Sequence, residues 1–97
     1  MHARVCHAIS ARSIVAVSYG GGTRTILPHT HGISRAGNEV LRAWQTGGLS
    51  RSGEPVGWKL FTVDEFAAWS PTGGTFPHAM PEYNAADRHM ERVHCHF

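Results

Sequence analysis

No apolar run approaches the roughly 18 residues that a membrane-crossing helix needs. The opening Met1-His2-Ala3-Arg4-Val5-Cys6 also lacks the long apolar stretch of a secretion signal. These absences predict a soluble, cytoplasmic protein with no membrane partner. Carboxylates are scarce, Asp and Glu numbering 7 in 97 residues, which leaves little for paired acid and base chemistry. None of the glycine runs continues into the Lys-Ser/Thr of a phosphate-binding loop, and no segment repeats at a fixed period. There are only two cysteines, Cys6 and Cys95, near opposite ends. A bond between them would tie the termini together, but a cytoplasmic setting makes free thiols the expectation. Their neighbours His7 and His96 would point to the opposite face on a strand, so no thiol–imidazole nucleophile is expected. These lacks together exclude the common catalytic arrangements and predict a non-enzymatic protein.

What is present is globular and turn-rich. The chain is 41% hydrophobic and 16% charged, with 11 Gly and 5 Pro, a composition that leans towards short strands. Its length suits a single domain over residues 1–97 with one small core. Net charge is only +2, yet among the 9 basic residues Lys59 is the sole lysine. Arginine presents a planar fork that lysine lacks, which favours an anionic partner.

Val5, Ala8 and Ile9 fall at helical intervals, so the segment from Val5 to Ser13 reads as a short helix or an irregular lead-in. Ile14-Val15-Ala16-Val17-Ser18-Tyr19 is β-branched and aromatic, Gly20-Gly21-Gly22 supplies a turn, and Thr23-Arg24-Thr25-Ile26-Leu27 returns antiparallel. Pro28 cannot donate to a ladder and is expected to end that strand or mark an edge, with His29-Thr30-His31-Gly32 as an exit loop. After the Gly37-Asn38 turn, Leu41 and Ala43 share one face of a third strand, while Val40, Arg42 and Trp44 share the other. A Gly/Ser-rich connection, Thr46 to Pro55, precedes a fourth strand from Val56 to Val63. One helical turn is expected over Asp64 to Trp69, irregular chain from Ser70 to Pro81, and a short helix from Asn84 to Val93, capped by Asn84 and packed through Met90 and Val93.

The order Tyr19-Gly20-Gly21, Arg24, Pro28, Gly32, then Glu39-Val40-Leu41-Arg42-Ala43-Trp44, then Lys59-Leu60-Phe61-Thr62-Val63-Asp64-Glu65-Phe66 resembles the WYL domain over residues 9–68. That resemblance implies a mainly β fold, a small Sm-like open barrel of about five strands with short terminal helices. It also implies a ligand-sensing or nucleic-acid-binding role of the kind found in bacterial transcription regulators. The chain departs from the family where Glu39-Val40-Leu41 keeps only the leucine of the name motif, where Lys59 replaces an arginine, and where Glu65 replaces another.

Arg42 and Trp44 share a strand face, and Trp58 can join them across a pairing. With Tyr19, Arg24, His29 and Lys59 they outline a surface for a nucleotide-like ligand or single-stranded nucleic acid, held by ring stacking and cationic contacts. The competing expectation is a structural protein that self-associates through strand edges as a homo-oligomer. A third draws on His29, His31, His94, His96 and the cysteines, which would offer metal donors if the ends converged. Their spacing matches none of the paired short-spaced signatures, so no metal and no cofactor are expected.

Overall fold

The β-branched run after the first helix pairs as its composition demands. The computed structural model describes residues 2–97. Helix α1 (His2–Ser10) leads into strands β1 (Ser13–Tyr19), β2 (Gly22–Ile33), β3 (Glu39–Gly48) and β4 (Gly57–Thr62). A single 3-10 turn (Val63–Glu65), β5 (Ala68–Thr75) and β6 (Arg92–His96) complete the chain. The architecture is mainly β, with antiparallel pairing in one six-stranded sheet of order β4-β3-β2-β1-β5 and β6 on β2. The sheet is not closed into a barrel.

Strand β2 is the spine. Its first half, Gly22 to Ile26, pairs with β1, and its second half, Thr30 to Ile33, pairs with β6, while β3 runs along its other edge. Pro28 therefore does not end the strand, as its missing N–H suggested. It lies between the segments bonded to β1 and to β6, next to a bulge: Pro28 pairs with Ala43 and Thr30 with Arg42, which leaves His29 as the extra residue.

The inner face of the sheet packs against α1. Val5, Ala8 and Ile9 of the helix close over Val15, Val17, Ile26, Leu41, Ala43, Phe61 and Val63, apolar area whose removal from water drives the packing. The outer face is covered by the segment between β5 and β6. There His29 is ringed by Trp58, Phe76, Tyr83 and Phe97, with ring centroids 4.7 to 5.3 Å away.

Several expectations change here. Residues Ser70 to Thr75 are strand rather than irregular; β5 pairs only with β1, and such an edge tolerates Pro71. Asn84 to Val93 forms turns and the start of β6, not a helix. Asn84 Oδ1 accepts from the Ala86 N–H at 3.0 Å and Asp87 Oδ1 from the His89 N–H at 2.9 Å. The first is a bond that a helix cap also makes, but the second takes the His89 amide that a helix would have bonded to the Ala85 carbonyl. Cys6 and Cys95 are joined in a disulfide rather than left as free thiols, their Cα atoms 5.8 Å apart. The packing of α1 brings Cys6 to β6, where Cys95 pairs with His31.

Candidate functional site

The bulge at His29 divides the residues that the sequence grouped together. Pairing with Leu41 turns His31 to the inner face, whereas His29 stays outside among the aromatic rings. Tyr19, Arg24 and Lys59 also belong to the inner side, and Arg42, Trp44 and Trp58 to the outer. The proposed ligand residues thus lie on two faces of the sheet.

Each inner member has a structural occupation. Tyr19 packs edge-on to Phe61 at 4.9 Å and its hydroxyl accepts from the Thr62 N–H at 3.0 Å. Arg24 is 7% exposed, donates to Gln45 Oε1 at 3.3 Å and lies against the Tyr19 and Phe61 rings. Lys59 Nζ donates to Ser50, Ser52 and the Glu54 carbonyl at 3.1, 2.9 and 2.6 Å, folding the Gly/Ser-rich loop over the strand end.

On the outer side, Arg42 donates to both Asp87 oxygens, at 2.7 and 3.3 Å. Trp44 and Trp58 meet edge to face at 5.5 Å, and the Trp58 indole donates to the Pro81 carbonyl at 2.8 Å. His29 is fully buried; Nδ1 donates to the Leu27 carbonyl at 2.7 Å and Nε2 accepts from the Met80 N–H at 3.1 Å. Burial lowers its pKa against the opposing effect of the Leu27 bond, and the two hydrogen bonds fit the neutral ring. Both nitrogens are thereby used.

A different cluster forms where α1 crosses the sheet. Glu39 at the start of β3 receives His31 from β2, His94 from β6 and His2 from α1. Its Oε1 stands 2.9 Å from His31 Nε2, 3.1 Å from His94 Nε2 and 3.6 Å from His2 Nδ1. A second bulge, between the His31–Cys95 and Gly32–Val93 pairs, makes His94 the extra residue of β6. The donor atoms of His31, Glu39 and His94 all lie within 4.8 Å of one another.

Two of these atoms are anomalous for an ordinary ion pair. His31 Nε2 and Glu39 Oε1 are buried and close, yet among the described residues neither has an aligned hydrogen bond. Such atoms are rare in native interiors, because an unsatisfied buried polar group costs about 1–3 kcal/mol. The His31 side chain is 2% exposed, against 17% for Glu39, 34% for His94 and 49% for His2, so the cluster opens from a buried floor to solvent. Burial holds the His31 pKa down against both the charge of Glu39 and its direct 2.9 Å contact, while His94 and His2 push in the same downward direction. Burial raises the Glu39 carboxyl, but the hydrogen bond and charge of His94 and the charges of His2 and His31 outweigh it and leave the pKa lowered. A neutral imidazole beside an ionised carboxylate is the donor state that a metal ion requires.

Sequence reasoning named His31 and His94 among possible donors but took the set no further, and it noted Glu39 only as a departure from a family motif. His2 carried no signal beyond its residue type. The two bulges that turn His31 and His94 towards Glu39 leave no pattern in composition or periodicity. Comparison with protein-family models, with curated proteins and with solved structures finds no match to this chain.

Proposed function

We propose that the chain is a metal-binding module holding one divalent first-row transition ion, such as zinc, between His31, Glu39 and His94, with His2 as the fourth donor. The observation that carries this is the buried pair His31 Nε2 and Glu39 Oε1, 2.9 Å apart and unaligned for a hydrogen bond. A cation between them satisfies both atoms at once. The spacing supports three donors: those of His31, Glu39 and His94 lie within 4.8 Å of one another, with the two nitrogens 2.9 and 3.1 Å from Oε1, near the roughly 3.3–3.4 Å between donors held about 2.0–2.1 Å from a tetrahedral ion; His2 Nδ1, 3.6 Å from Oε1 on the exposed rim, has to swing in to complete the set. Imidazole and carboxylate donors suit zinc and its first-row neighbours. A four-donor set is the pattern of a site that holds an ion rather than one that turns over a substrate.

Calorimetric titration of the metal-stripped, disulfide-intact protein with zinc tests the proposal. One ion per chain is expected, with His31→Asn and Glu39→Gln each weakening affinity by more than about tenfold. Wild-type protein that takes up no zinc sinks it.

A second reading rests on a groove of about 300 Å³ on the outer face, lined by Arg42, Trp58, Tyr83, Asp87, Arg88 and His89. The Trp58 and Tyr83 planes are tilted by 31°, a seat for the flat part of the nucleotide-like ligand that the WYL resemblance implies. That reading treats the sheet as an opened Sm-like barrel. Asp87 already pairs with Arg42, so Arg88 is the cation left to meet a phosphate. Quenching of Trp58 fluorescence by added nucleotide, reduced in Arg88→Ala, is the expected result; no quenching at any concentration removes this reading.

A further inference from the structure

Donor atoms also meet on the other side of the His31 ring. Cys6 Sγ stands 3.5 Å from Nδ1, Cys95 Sγ is bonded to it, and the Cys6, His31 and Cys95 donors lie within 4.8 Å of one another. The disulfide carries no charge and is a poor ligand. Cut, it leaves two thiols that become thiolates on meeting a metal, and with an imidazole they form a soft donor set.

We infer that the reduced chain has a second metal site, built from Cys6, Cys95 and His31 Nδ1, which takes a thiophilic cation and is masked while the disulfide stands. On reduction the two sulfurs part from bonded contact, while the elements that carry them have anchors of their own. Val5, Ala8 and Ile9 anchor the helix on either side of Cys6, and Cys95 is held opposite His31 by strand pairing. The inference rests on the preceding metal-binding proposal only in that both sites use His31, through opposite nitrogens. A neutral imidazole offers one lone pair, so it serves one site at a time. With an ion on Nδ1, Nε2 carries the proton and has no lone pair left for an ion beside Glu39, whose Oε1 stands 2.9 Å away. Oxidation state then selects which side of the ring is loaded.

The chemistry balances with a dithiol as reductant. It delivers two electrons and two protons across the Cys6–Cys95 bond, leaves two thiols and closes into its own disulfide. An arriving divalent ion forms two sulfur–metal bonds and releases both thiol protons to water.

The test uses the full chain, reduced under argon, freed of dithiol and titrated with Co²⁺. Thiolate-to-cobalt charge-transfer absorption in the near ultraviolet is expected at one ion per chain in the reduced wild type and in reduced Glu39→Gln. Its loss is expected in Cys95→Ser and in the oxidised protein. Reduced wild-type protein that binds Co²⁺ without that band, or binds none, overturns the inference whether or not its circular dichroism stays native. A full band in Cys95→Ser overturns it too. Oxidised protein that ignores zinc, together with the band in the reduced protein, counts against the Glu39 site alone.

Discussion

Burial on its own would push the Asp87 carboxyl up. The Arg42 hydrogen bonds, the His89 amide and the Arg42 charge more than offset that, and the pKa lies below the ordinary 3.8. The unfolded chain therefore binds a proton at a higher pH than the folded one does. Stability from this group is fully present above the ordinary carboxylate pKa and is lost as pH falls through the depressed folded value. Asp87→Asn is expected to lower the urea midpoint at neutral pH and to flatten its decline in acid; an unchanged acid slope would remove Asp87 as the cause. Arg42→Ala strands a carboxylate whose side chain is only 7% exposed, and a loss of about 3 kcal/mol in denaturant unfolding is expected. At this scale the sequence was legible in residue type and illegible in occupation. Arg42 looked free because its partner lies 45 residues away, and no local pattern announces such a pair. His29 and His31 were both expected in an exit loop; they lie instead within β2, where one bulge sends them to opposite faces.

Bulges and glycines are where the elements acquire their chemistry. The hairpin of β1 and β2 was readable from β-branched runs flanking glycines, and so were β3 and β4, with the helix that begins the chain as one of two readings. Each of these depends on local propensity and short-range periodicity. Strands β5 and β6 were not readable, since β5 contains Pro71 and β6 is a five-residue segment held by a remote partner. Gly32 illustrates that dependence. A Cβ at this position would run into the Arg92 carbonyl oxygen and stand 2.9 Å from Met90 Sδ. Only a bare backbone lets β6 approach β2 closely enough for His94 to reach Glu39. Gly32→Ala is expected to cost about 1–3 kcal/mol through forced displacement of β6 and to weaken the proposed zinc binding at the same time. Stability and affinity should fall together, and a variant that loses stability while binding zinc as the wild type does would separate the glycine from the site.

Across the whole molecule α1 and β6 are joined twice. The disulfide ties α1 to β6 beside β2, and the His2, His31, Glu39 and His94 set draws α1, β2, β3 and β6 together a few ångströms away. The bond spans 89 residues of sequence, and loop closure on that scale restricts the unfolded chain by roughly 4–5 kcal/mol. A domain of this size has a net stability of only about 5–15 kcal/mol, so one staple is a large share of the total. An ion bound to the folded state alone would stabilise by about 2.7 kcal/mol at a hundredfold excess over its dissociation constant. The Cys6→Ser, Cys95→Ser double variant should therefore unfold at a much lower denaturant concentration than the wild type in the presence of chelator, and zinc should return part of the difference. If the two staples act independently, the zinc increment will be equal in the variant and the wild type. An increment confined to the wild type would mean that the disulfide must first hold α1 in place before the histidines can close on Glu39, which would make the metal centre a consequence of oxidation.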